Sequence, residues 1–170
     1  TPDLLLTINK ENMKAYFARQ GKFYMGPPTR GISLFVPVAL TPAEAVSMLK
    51  GSVPQSSFTP ETRVRAFLDG DMYRLDVYPG VSRAMSVWID RSSGRLIKME
   101  IPGAETKLIT YDDFREVGGG LFPGAIEVRS GQERVVRVKY GDMKLAPRGS
   151  ADRDTFDLEI PEGVKPILIE

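Results

Sequence analysis

Short stretches that alternate apolar and polar residues, each closed by a turn signal, fill most of the chain from Phe58 onward. A period of two puts successive side chains on opposite faces, so these stretches read as half-buried strands rather than helices. Arg63 to Leu68 ends at Asp69-Gly70-Asp71 and returns as Met72 to Tyr78. Ser82 to Asp90 ends at Arg91-Ser92-Ser93-Gly94 and returns as Arg95 to Ile101. Thr106 to Phe114, Ala125 to Ser130, Glu133 to Tyr140 and Asp154 to Ile160 complete the series, while Leu4 to Ile8 and a pair or bulged strand over Met13 to Tyr24 precede it. Tyr73, Leu75 and Val77 share one face, as do Met85, Val87 and Ile89, and then Ile97, Met99 and Ile101. The opposite faces are mixed or charged. Such turn spacing predicts an antiparallel meander, either a curved sheet or a two-sheet sandwich, and no spacing has βαβ length.

One helix interrupts the pattern. Thr41 is an N-cap, Pro42 takes the first helical position, and Glu44 completes a capping box. Val46 and Leu49, with Met48 beside them, supply the apolar stripe, and Gly51 is the stop. Ten residues cannot hold a helix alone in water, so this one must lie on the sheet. The preceding Gly31 to Val36 reads as a turn or further helical segment docking there too. With 170 residues and 42% hydrophobic composition, one domain spanning 1–170 is expected.

The chain contains no histidine and no cysteine. Imidazole acid/base chemistry, thiol nucleophiles, disulfides and most transition-metal sites are thereby excluded. Carboxylates are the remaining acid/base groups, and they fall in turns (Asp69, Asp71, Asp152, Asp154) or, as Asp112 and Asp113, in adjacent positions that a strand points apart. No catalytic residue, cofactor or metal ligand is assigned. Gly118-Gly119-Gly120 lacks the lysine and helix start of a phosphate cradle and reads as a turn. A formal charge of +1, with Glu127 and Glu133 interleaved among Arg129, Arg134, Arg137 and Lys139, argues against a nucleic-acid surface. No apolar run reaches membrane-spanning length. Seven methionines and many branched aliphatics on the apolar face suit either a core or a concavity for acyl chains.

Three segments resemble LolB-like envelope lipoproteins, within the LolA/LolB-like superfamily of outer-membrane lipoprotein carriers and receptors. Ala39 to Pro54, with Leu49-x-Gly51-x-x-Pro54, is similar to the family's helix and its ending, preceded by Tyr24-Met25-Gly26. Tyr111-Asp112-Asp113-Phe114-Arg115-Glu116-Val117 leading to Leu121-Phe122-Pro123-Gly124-Ala125-Ile126 resembles a family strand and turn. Asp154-Thr155-Phe156-Asp157-Leu158-Glu159-Ile160-Pro161-Glu162-Gly163-Val164 resembles its close. The resemblance implies a mostly β fold, an unclosed antiparallel half-barrel with one principal helix on the concave face. It also implies non-enzymatic binding of lipid or lipoprotein acyl chains in the periplasm, with anchoring to the outer membrane through an N-terminal portion expected upstream of Thr1. The cavity candidates are Leu34, Phe35, Val46 and Leu49 from the helix region, and Tyr73, Leu75, Val87, Met99, Tyr111 and Phe122 from the sheet. A solid core would bury the same residues. Two other readings stay open: an interaction module of the envelope without a cavity, with an envelope protein as partner, and an acidic metal-assisted hydrolase. The receptor's exposed-leucine delivery hairpin is not recognisable here.

Overall fold

A computed structural model describes residues 4–8, 12–28, 41–131, 134–141, 143 and 158–169. The chain divides into two compact units, Thr1–Pro42 with Leu145–Glu170, and Ala43–Lys144. It is mostly β, as the alternation predicts.

The first unit holds a four-stranded sheet ordered β1-β2-β3-β11, from β1 (Leu4–Ile8), β2 (Met13–Phe17), β3 (Lys22–Gly26) and β11 (Pro166–Leu168). The stretch Met13 to Tyr24 is therefore two strands of one hairpin, with Ala15 opposite Tyr24. Met13 and Ala15 are fully buried, and Tyr24 and Ile169 pack against them. Phe17 meets Tyr24 edge to face at 5.8 Å between centroids, the arrangement that ring quadrupoles favour. β11 pairs with β3 in parallel, and the Ile169 N–H extends the ladder by donating to the Met25 carbonyl at 2.7 Å. The strand expected over Asp154 to Ile160 is not there in its described part: 158–160 lack regular structure, and 154–157 lie outside the described residues. The chain instead pairs a few residues later. Pro161 has no N–H to give a ladder, and its carbonyl accepts from Val164 N–H to form a turn before β11.

The second unit is a seven-stranded antiparallel sheet in sequential order, β10-β9-β8-β7-β6-β5-β4. Its strands are β4 (Arg63–Asp69), β5 (Met72–Tyr78), β6 (Met85–Asp90), β7 (Leu96–Ile101), β8 (Lys107–Val117), β9 (Gly120–Ser130) and β10 (Arg134–Lys139). β4 and β10 are its two edges and do not pair with each other, so the sheet is an open half-barrel rather than a closed one. β8 and β9 run longer than alternation predicts and meet at the two-residue loop Gly118-Gly119. Both loop glycines have positive φ, 58° and 78°, which a side chain would resist and a tight hairpin requires. The glycine run is thus a turn, as expected.

Helix α1 (Pro42–Lys50) carries the expected apolar stripe on a different face. Met48 is its buried residue, whereas Val46 and Leu49 are exposed. Glu44, Ala45 and Met48 are spaced three and four apart and so share a side, and Glu44 pairs with Lys107 of β8 at 3.7 Å. The side that carries this ion pair and Met48 faces inward, which leaves Val46, about half a turn round, in solvent. At the other end Gly51 (φ 64°) donates to Met48 O and Ser52 N–H to Ser47 O, a Schellman ending. A Cβ at position 51 would also stand 2.9 Å from Pro123 Cδ.

Candidate functional site

Register across the large sheet builds one continuous apolar row. Ala66, Leu75, Val87, Met99, Ile109, Val128 and Val136 are direct cross-strand partners from β4 to β10. Val87, Met99, Ile109 and Val128 in its middle are buried. One step along β8, Tyr111 lies opposite Ile126, which lies opposite Val138.

Of the sequence candidates, Leu75, Val87, Met99 and Tyr111 come together on this face. Tyr73 shares it but sits toward the β4–β5 hairpin, opposite Ile89, and is exposed. Phe122 is half-buried in β9 opposite Arg115, near the other hairpin. Val46 and Leu49 face solvent, and Leu34 and Phe35 lie outside the described residues. Ile109, Ile126 and Val128 belong to the face as fully as any candidate, and extending the period-two count through β8 and β9 would have found them.

Tyr111 is chemically unlike its neighbours. Only 3% of it is exposed, and its hydroxyl has no hydrogen-bond partner among the described residues. Burial, with a smaller contribution from nearby Tyr140, pushes its ionisation far above the ordinary phenol value, so it stays a neutral O–H donor. Tyr140 roofs this end: its hydroxyl donates to the Leu49 carbonyl in α1 at 3.1 Å. Helix and orphan hydroxyl therefore belong to one corner of the face.

The opposite face is a ladder of cations and rings. Phe67, Arg74, Trp88 and Lys98 are successive cross-strand partners. The Arg74 guanidinium stands 5.8 Å from the Phe67 ring and 5.3 Å from Trp88, and Lys98 Nζ lies 3.7 Å from the Trp88 centroid. Such contacts are worth roughly 0.5–1 kcal/mol where exposed and about 2 kcal/mol when desolvated, and the Trp88 ring between the two cations is buried. Beneath them Asp76 is buried, accepting from two guanidinium nitrogens of Arg74, Nε and Nη2, at 2.9 and 3.0 Å and from the Ser86 hydroxyl at 2.6 Å. Burial alone would raise Asp76; Ser86 and Arg74 outweigh it and hold the carboxyl below its usual range. Asp69 accepts the Trp88 indole N–H at 2.7 Å.

An open groove of about 650 Å³ lies at one end of the unit, lined in part by Met72, Asp90, Arg95, Lys98, Thr110 and Phe114. Its carboxylate is committed: the Ser93 and Ser92 hydroxyls and the Ser93 N–H bring Asp90 down to about 2, fixing it as the acceptor of its turn rather than a base. Asp112, also in the lining, accepts the N–H of Asp113, whose φ of 52° breaks the strand alternation expected there. Among the described residues no group of three or more Asp and Glu is placed to hold a metal ion. In comparisons with known proteins, no family model and no curated sequence matches this chain.

Proposed function

We propose that the seven-stranded unit holds an acyl chain of a lipid or acylated lipoprotein against its apolar face, without chemistry. The observation that carries this reading is the Tyr111 hydroxyl, a neutral donor buried at the end of an apolar row with no acceptor among the described residues. Buried polar groups are nearly always paired, and an unmade bond there costs about 1–3 kcal/mol. An ester or carboxyl oxygen of a lipid would accept from it, and each methylene buried beside it would contribute about 0.8 kcal/mol. Methionine at 99 and at 48 in the roofing helix suits a chain of variable shape. The open sheet matches the architecture that the resemblance to LolB-like lipoproteins implies. Membership of that superfamily, and a place in the bacterial envelope at or near the outer membrane, are proposed on the resemblance alone.

A second reading, an envelope interaction module with a solid interior, is favoured by the near-complete burial of Val87, Met99, Ile109 and Val128. Native mass spectrometry of protein purified from bacteria separates the two, read beside displacement of a fluorescent fatty-acid probe. Acyl binding predicts co-purifying lipid, saturable probe binding, and a loss of about 3- to 10-fold in probe affinity for Tyr111→Phe, the value of one hydrogen bond. No lipid and no displaceable probe would leave the interaction module.

A further inference from the structure

We infer that β4 is a self-complementary edge through which two copies of this chain join their large sheets into one, a surface independent of the acyl-binding reading. β4 ends the strand order, and all seven of its residues are exposed. Among the described strands nothing covers its outer side. Such an edge, with Leu68 as much as 68% exposed, is a template for another strand unless something occupies it.

The sequence of β4 selects its occupant. Arg63-Val64-Arg65-Ala66-Phe67-Leu68-Asp69 reads oppositely in its two halves. Laid antiparallel on a second copy about a two-fold axis at Ala66, Arg63 faces Asp69 of that copy, Val64 faces Leu68, Arg65 faces Phe67, and Ala66 faces itself. Opposite charges, two aliphatics and a cation with a ring are the cross-strand pairs that stabilise sheets. The faces agree as well. Val64, Ala66 and Leu68 continue the apolar face, because Val64 and Ala66 are partnered by Val77 and Leu75 within the chain. Arg65 and Phe67 continue the ladder of Arg74, Trp88 and Lys98. A slip of one residue would set apolar side chains against charged ones. A slip of two puts Arg65 opposite Arg65, or Phe67 opposite Phe67 with Arg63 beyond the end of the partner strand.

Charges on an edge strand also serve to repel chance partners. Here their order discriminates: like-signed edges are repelled and the inverted copy is accepted. The other edge, β10, offers a contrast, since Arg134, Arg137 and Lys139 are all cationic and a two-fold there would oppose like charges. The β4 groups make contacts within the chain, each from an exposed position: Arg63 donates to Gly80 O, Arg65 lies over the Tyr78 ring, Phe67 takes Arg74 on its ring, and Asp69 receives Trp88 on Oδ2. Pairing across the axis would add Asp69 Oδ1 as an acceptor for an arginine and exchange some of these exposed contacts for intermolecular ones. Two-fold, isologous pairing of this kind closes at a dimer.

Sedimentation velocity of the whole chain over a range of concentrations tests this. Dimers are expected, with Arg63→Asp and Asp69→Arg each weakening association at least 10-fold and the double variant restoring it. A chain without cysteine permits a second readout: in Ala66→Cys the two thiols would face each other at the axis, at Cα separations a disulfide spans. Mild oxidation should cross-link it far faster than Ala104→Cys in an exposed turn, and it does not depend on altering a charge. A monomer at every concentration overturns the inference. So does a dimer whose Ala66→Cys form cross-links no faster than the control, or a double charge variant that dissociates as the singles do.

Discussion

Asp76 and Tyr111 sit on opposite faces of the same sheet and resolve burial in opposite ways. Asp76 keeps its charge because Arg74 and Ser86 surround it; Tyr111 keeps its proton because burial disfavours the phenolate. The carboxyl's folded pKa lies below the ordinary 3.8, so its contribution to stability is full above that value. It is lost as pH falls through the depressed folded value. Asp76→Asn should therefore cost about 1–3 kcal/mol near neutrality, tempered by the partial exposure of Arg74, and the difference from the parent should shrink as pH falls below 3.8. Urea denaturation at several pH values measures both. Alternation in β5 placed Asp76 on the charged face correctly. Its burial was not legible, because that depends on Ser86 and Arg74 closing over it from β6 and from two positions away.

The helix and hairpins were legible as elements, through Pro42, Gly51, Asp69-Gly70-Asp71 and the glycine pair at 118 and 119. Their contacts were less so. Val46 and Leu49 look like the buried stripe of α1 from spacing alone; in the fold the side bearing Met48 and the Glu44–Lys107 pair faces inward instead. Thermal or urea unfolding should accordingly show Met48→Ala losing about 2–5 kcal/mol, while Val46→Ala and Leu49→Ala stay within about 0.5 kcal/mol of the parent. A three-residue strand such as β11, fully exposed and opening on Pro166, carries no periodic signal, and only its partner β3 makes it a strand.

Across the molecule, nearest-neighbour strand order in the large sheet follows directly from turns of a few residues, and so was readable. The small sheet was not. It draws strands from both ends of the chain, with no change of composition at Pro42 or Leu145 to announce a boundary. Pro166 finds Phe23 across nearly the whole length of the chain, whereas every pairing in the large sheet is made between sequence neighbours. Closing so long a loop is entropically costly and comes late, since little beyond the three exposed residues of β11 and the adjoining Ile169 repays it among the described residues. The two sheets should consequently run on different clocks. In hydrogen exchange the amides bonded between β3 and β11 are expected to exchange orders of magnitude faster than those between β7 and β8, whose opening needs the core itself to come apart. During synthesis on the ribosome the large sheet can complete itself while the last strand is still unmade. The four-stranded sheet must wait, with β3's edge unpaired, until the residues around Pro166 have emerged.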